Sequence, residues 1–351
     1  MALFRVITEK LEHLTRLIVP HERWLIVISA DPDALGCSMA LRQIIRSRGG
    51  LADIAHTNDI SRPDNLAMIR TLRIPLTRVT PEISCCCQRF AMVDSQPHHS
   101  TDFPAVRYSV ILDHHPQDPA HPPQADYVDV PTGYGACSSL LTEYLYNLGI
   151  KPGKFLATAL LYGIKTDTGS FERNFADVDV KAFSYLTKFA DKMLLRRIAH
   201  ADFHRKWLKY FQRAFSRMRP VGREGLLSYV GKVENPDVLV ILADFFLRVH
   251  GLSWNCIAGI YGGRLIAVMR SDGLRRDIGR KAQAWFGPYG CAGGHKMAAR
   301  AEIELPRLGG FDPEKFLLKR LTGQKFQASA VEPHEEACVV PPGRASGGMP
   351  R

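Results

Sequence analysis

Eight cysteines are present, but no two stand in CxxC spacing, and three of them are consecutive at Cys85, Cys86 and Cys87. That pattern argues against a zinc ribbon or a disulfide framework and fits reduced thiols, the triplet sitting beside or in a strand as small apolar residues. A run of about 18 apolar residues is also lacking, so no transmembrane span is expected. Residues 1–20 carry Arg5, Glu9, Lys10, Glu12 and Arg16 at helical spacing, which does not match a signal peptide. A cytoplasmic protein with no membrane partner is the expectation. Acid is in deficit as well. Lys and Arg number 46 against 35 Asp and Glu, a net charge of +11, which favours an anionic partner. The excess is concentrated: Lys181 to Arg219 holds eleven Lys and Arg against Asp191 and Asp202. A solvated helical face and a phosphate-attracting surface both account for that run.

A chain of 351 residues with 46% hydrophobic and 23% charged residues has the size of two domains. Residues 3–18 place apolar side chains on one helical stripe. Residues 24–29 form a continuous apolar run, as in a strand buried on both faces. It runs into Ala30-Asp31-Pro32-Asp33 and a helix to about Ser47, one strand–turn–helix unit. Further strands are expected at 52–55, 89–93 and 107–112, and helices at 64–72, 135–148 and 154–164. The alternation predicts an α/β domain with a mainly parallel sheet over residues 1–180. A basic helical linker spans 181–220. A smaller α/β domain follows over 221–326, with strands at 226–230, 255–261, 265–270 and 301–305 and a glycine-rich turn at 286–300. Residues 327–351 are rich in Pro, Gly, Ala, Ser and Glu and read as a disordered tail.

Acids recur where strands end. Asp31 and Asp33 follow the first strand, Asp94 follows residues 89–93, and Asp113-His114-His115 follows residues 107–112. Asp167 sits in a Thr-Asp-Thr-Gly turn. Any one of these is an ordinary cap or turn residue. Parallel strands, however, carry their carboxyl ends to one edge, where open α/β sheets bind ligands. Carboxylates with imidazoles suit a hard or borderline divalent ion such as Mn²⁺ or Mg²⁺.

The motifs, in order, resemble those of the DHH phosphoesterase superfamily, which includes RecJ-like exonucleases, nano-RNase/pAp phosphatases, cyclic-di-AMP phosphodiesterases and family II pyrophosphatases. Asp31-Pro-Asp-Ala-Leu-Gly36 is similar to the first motif, Val93-Asp94-Ser95 to the second, Asp113-His114-His115 to the third and Gly163 to Phe171 to the fourth. Gly293-Gly294-His295, with Arg270-Ser271 before it, resembles the glycine–histidine motif of the DHH-associated domain. The resemblance covers roughly residues 20–310. It implies two Mn²⁺ ions bridged by Asp94, with Asp33, His114 and Asp167 completing one site and Asp31 in the other. His115 lies near the substrate phosphate and assists protonation, and Arg270, Gly293, Gly294 and His295 hold the substrate's anionic end. The implied activity is hydrolysis of short oligoribonucleotides or pAp-like nucleotides by metal-activated hydroxide, with a cyclic dinucleotide and a homodimer left open. The first motif departs from the pattern. Val27 and Ala30 stand where a histidine and a proline are usual. His98 and His99 are alternative donors or ordinary loop histidines. A nucleotide-binding or regulatory protein of weak activity is therefore the second reading, and a manganese pyrophosphatase the third.

Overall fold

The run Trp24–Ile28 is buried throughout, and a parallel sheet is assembled on both sides of it. The computed structural model describes residues 3–172, 175–200, 205–294 and 296–323. The expected tail at 327–351 lies outside the described residues. The chain divides into two units, Met1–Asp202 and Phe203–Arg351.

In the first unit the elements are α1 (Thr8–Arg16), β1 (Arg23–Ile28), α2 (Pro32–Ser47), β2 (Leu51–His56), α3 (Pro63–Leu72), β3 (Leu76–Arg78), α4 (Pro81–Cys85), β4 (Arg89–Val93), β5 (Tyr108–Leu112), β6 (Ala125–Asp129), α5 (Cys137–Asn147), α6 (Lys154–Asp167), α7 (Asp177–Leu186) and α8 (Lys192–Ala199). The sheet order is β3-β2-β1-β4-β5-β6, all parallel. Chain direction across the sheet reverses between β1 and β4, which opens a crevice at their carboxyl ends. Side chains alternate along β1. Trp24, Ile26 and Ile28 join the larger core with Leu35 and Ile44 of α2, Leu140 of α5 and Leu160 of α6. Leu25 and Val27 turn to a smaller cluster with Ala55, Met92, Phe103 and Ile111.

Two expectations change here. Helix α6 continues through Asp167 instead of ending near 164. The Thr166 hydroxyl bonds back to the Tyr162 and Gly163 carbonyls and the Thr168 hydroxyl to the Ile164 carbonyl, and the amides of Ser170 and Gly169 satisfy the open carbonyls of Lys165 and Thr166. The cysteine triplet lies beside β4, not in it, and is not packed as small apolar residues: Cys85 ends α4, Cys85 and Cys86 are exposed, and only Cys87 is half-buried. Thr80 caps that short helix through the Ile83 amide, with Pro81 at its first position.

The second unit contains α9 (Leu208–Ser216), β7 (Met218–Val221), β8 (Gly225–Lys232), α10 (Asp237–Phe246), β9 (Trp254–Tyr261), β10 (Arg264–Ser271), α11 (Ile278–Phe286), β11 (Cys291–Gly294), β12 (Ala298–Glu304) and α12 (Pro313–Leu321). Its sheet, ordered β11-β12-β10-β9-β8-β7, is antiparallel except for the β8–β9 pair. The glycine-rich stretch is partly a strand, because Cys291–Gly294 pairs with β12. Gly294 has φ +148°, and an added Cβ would lie 2.3 Å from the Ala298 carbonyl oxygen, so only glycine fits this edge. The basic run is divided between the units, with α7 and α8 in the first and α9 in the second. Three of its lysines are paired locally, Lys181 with Asp177, and Lys206 and Lys209 with Glu234.

Helices α2 and α6 approach closely because glycines face the contact. A Cβ on Gly36 would stand 3.1 Å from the Ala159 carbonyl oxygen; one on Gly163 would stand 2.5 Å from Ser138 Oγ and 2.8 Å from Asp33 Oδ1. Gly163→Ala is expected to cost about 1 kcal/mol or more in a urea melt, the overpacking outweighing the gain in helix propensity. Gly36→Ala should cost less. A Gly163→Ala protein as stable as the parent would contradict this packing.

Candidate metal centre

Each acid at the carboxyl edge is placed by a local backbone feature. Asp31 is the N-cap of α2, and its Oδ1 accepts from the Ala34 amide at 2.9 Å. The turn before it is pinned by Asn58, whose side chain accepts from the Ala30 amide at 2.6 Å and donates to the Ala30 carbonyl at 3.1 Å. Asp33, in the first turn of α2, is fully buried. Its two oxygens accept from the Cys137 amide at 2.7 Å and the Ser138 amide at 2.9 Å. Those amides open α5, so the helix end supplies the donors a buried carboxylate needs. Asp94 follows β4 with φ +57°, an unusual backbone for a residue with a side chain. Its amide is held by the Leu112 carbonyl at 2.8 Å. Asp167 falls one helical turn after Gly163 and shares its face.

These residues meet. Ligand atoms of Asp33, Asp94, His114 and Asp167 all lie within 4.8 Å of one another, and so do those of Asp94, Asp113, His114 and His115. His114 Nε2 is 3.4 Å from Asp94 Oδ1 and 3.3 Å from Asp167 Oδ2. Asp94 Oδ1 and His114 Nε2 are buried without a hydrogen bond. The other nitrogen of His114 donates to the Tyr134 carbonyl at 3.2 Å, which leaves Nε2 as the neutral ring's ligating nitrogen. A buried carboxylate oxygen and an imidazole nitrogen, close together yet without a hydrogen bond, fit a divalent cation. Asp31 belongs to neither cluster.

His115 is arranged differently. Its Nδ1 lies 2.7 Å from Asp113 Oδ1, and the Gln96 amide donates to Asp113 Oδ2 at 2.7 Å. Gln96, fully buried, was not foreseen; its only sequence signal is its place two residues after Asp94. His99 Nδ1 accepts from the Gln96 backbone amide at 3.2 Å and lies 3.2 Å from Ser95 Oγ. Val27 points into the apolar cluster with Leu25, Ala55 and Met92 and brings no ligand.

Charge crowding marks the centre. Burial, followed by the charges of Asp33 and Asp31, pushes the Asp94 carboxyl up to about 8. Burial alone would lower His114, but the neighbouring Asp94 and Asp33 carboxylates carry it up to about 10. Burial would raise Asp113, yet His115, His114 and Gln96 hold it well below the usual carboxylate range. His115 is raised: burial opposes this, and Asp113 outweighs it. Burial pushes His99 down to about 4.

In the second unit, Arg270 lies on β10 with its Nε 2.6 Å from Asp244 Oδ1. Gly293 and Gly294 lie on β11, and space around a Gly293 Cβ is open. His295 lies outside the described residues.

No family model matches the chain. An uncharacterized protein of Methanocaldococcus jannaschii is 32% identical over 326 residues, 93% of this chain; the chain spans 65% of that relative's length. Among solved structures, an exopolyphosphatase-related protein from Bacteroides fragilis superposes with a TM-score of 0.71 at 17% identity, covering 91% of this chain and 97% of that one. The exonuclease RecJ bound to manganese superposes with a TM-score of 0.52 at 15% identity, covering 92% and 95%. Both similarities concern the fold.

A cation must displace the protons that the cluster holds. With Asp94 raised to about 8, affinity for Mn²⁺ should rise as pH increases towards 8 and fall below it, by about tenfold or more between pH 6 and 8. Calorimetric titration in buffers of different ionisation enthalpy reads both the affinity and the protons released. Affinity independent of pH would count against these ligands.

Proposed function

Since the chain carries the fold of the DHH phosphoesterase superfamily, we propose that it is a divalent-metal-dependent phosphoesterase, with short oligoribonucleotides or pAp-like nucleotides as substrates and Mn²⁺ as the metal. The observation that carries this reading is the buried meeting of Asp94 Oδ1 and His114 Nε2 beside Asp33 and Asp167, with neither of the first two atoms hydrogen-bonded. Asp33, Asp94, His114 and Asp167 would hold one ion, and Asp94 and Asp31 would contribute ligands to a second. When bound, such ions lend Lewis acidity to water and neutralise charge on phosphoryl oxygens.

The remaining work falls to the chain's own groups. Gln96 fixes Asp113, and Asp113 fixes His115 through Nδ1. That leaves His115 Nε2 as the nitrogen able to give a proton to a leaving alkoxide. The raised His115 suits an acid that must be charged before it acts. Arg270, Gly293, Gly294 and His295 bind the anionic end of the substrate. Arg270 already holds a carboxylate, that of Asp244, so a substrate phosphate has to compete with an intramolecular anion. The basic residues of α8 and α9 favour an RNA partner by long-range attraction. A cytoplasmic location and assembly as a homodimer belong to the same reading.

One observation favours the second reading, a nucleotide-binding or regulatory protein of weak activity. Val27 is fully buried in an apolar cluster, so the first motif supplies one ligand fewer than usual. Purified protein with Mn²⁺ separates the two. The phosphoesterase should release mononucleotides from a short labelled oligoribonucleotide, or phosphate from pAp, and Asp94→Ala should bring turnover to background. Nucleotide binding with no turnover on either substrate would establish the second reading instead.

A further inference from the structure

We propose that His99 is a neutral hydrogen-bond donor to a phosphoryl oxygen of the substrate, and that it is not the ligand replacing the histidine absent at Val27. The inference rests on the phosphoesterase reading and adds a substrate-positioning residue to it. Residues Pro97–His99 form one turn of 3-10 helix, and Gln96, the N-cap before it, donates its backbone N–H to His99 Nδ1 at 3.2 Å. His99 thereby takes the third-residue role of a capping box, which glutamate or glutamine usually fills. A neutral imidazole has one lone-pair nitrogen and one N–H. The Gln96 amide occupies the lone pair at Nδ1, so the proton sits on Nε2.

This assignment decides between the two uses of the ring. As a metal ligand, Nε2 would have to shed its proton, moving it to Nδ1 against the Gln96 N–H and leaving that amide unpaired. As a donor, Nε2–H needs no rearrangement. The ring also lies where a donor is useful. It stands edge-on to His115, with centroids 5.6 Å apart and planes at 82°. Gln96, which fixes its tautomer, is the same residue whose side chain fixes Asp113 and through it His115. One residue therefore sets the orientation of both histidines. A preorganised neutral donor favours an oxyanion at little reorganisation cost. Position 27 offers no competing role, since Val27 faces the apolar cluster.

Two variants, His99→Ala and His99→Gln, test the assignment against the parent. Metal content is measured by elemental analysis after Mn²⁺ loading, and inorganic phosphate is titrated calorimetrically into the loaded proteins. In His99→Ala the metal content should be unchanged, and phosphate affinity should fall by about tenfold, as for loss of one hydrogen bond to an anion. In His99→Gln both should approach the parent, because glutamine can accept from the Gln96 amide and still donate. With turnover as a further readout, KM should rise in His99→Ala more than kcat falls. A lost metal equivalent in His99→Ala would overturn the proposal and make His99 the replacement ligand. Unchanged phosphate affinity in His99→Ala would overturn the donor role alone. A parent protein that loads metal but binds no phosphate would remove the phosphoesterase reading and the donor role with it.

Discussion

The carboxylate of Asp33 is the constraint on which the first unit's geometry depends. It is fully buried, and an unpaired charge at that depth would be expensive. Two backbone amides at the start of α5 satisfy it, so α5 has to begin at the carboxyl end of the sheet. A third helix, α6, must then pass close to both. Only glycine at 163 leaves room, because any Cβ there would fall within 2.8 Å of Asp33 Oδ1. Three helices are thus fixed around one carboxylate, and Asp167 reaches the same cluster because it lies one turn beyond that glycine. Packing and chemistry share their residues here, so a change at Gly163 or Ser138 is felt at the cluster.

Asp94 shows the same coupling at the level of the backbone. Its left-handed conformation is one that side chains rarely adopt, and such strain persists where the surroundings enforce it. The Leu112 carbonyl holds its amide, while burial and the charges of Asp33 and Asp31 push its carboxyl up, against the opposing pull of His114. Like charges gathered in a dry crevice store repulsion that a bound cation relieves. The unsatisfied Asp94 Oδ1 and His114 Nε2 are the local record of that imbalance.

Much of this was legible in the residues. The apolar run before Asp31, the repeated strand–acid pattern and the Asp-His-His triplet all pointed to one sheet edge, because parallel strands bring their carboxyl ends together whatever lies between them. The supporting contacts were not legible. Gln96 looks like any loop glutamine until Asp113 and the turn at 97–99 fold against it. Tyr134 acts through its carbonyl, which no side-chain pattern reveals. The extension of α6 to Asp167 depended on threonine hydroxyls bonding back to the preceding turn, where the Thr-Asp-Thr-Gly string reads equally well as a loop. Strand β11 was hidden for the opposite reason: a glycine-rich string carries no strand propensity, and it pairs only because Gly294 can come close to Ala298 and Ala299.

Position 27 shows how strand alternation confines the effect of a substitution. On β1 the even residues 24, 26 and 28 enter the helix-covered core, while 25 and 27 face the opposite cluster. A polar side chain at 27 would need a partner among Leu25, Ala55 and Met92, and valine removes that requirement while filling the same space. The four-residue set of Asp33, Asp94, His114 and Asp167 draws nothing from this side of the strand. Its ligands come from the first turn of α2, the residue after β4, the residues after β5 and the end of α6. The valine therefore simplifies the packing of β1 without touching the backbone features that place those four, and its chemical consequence is confined to whatever Asp31 and Asp94 hold between them.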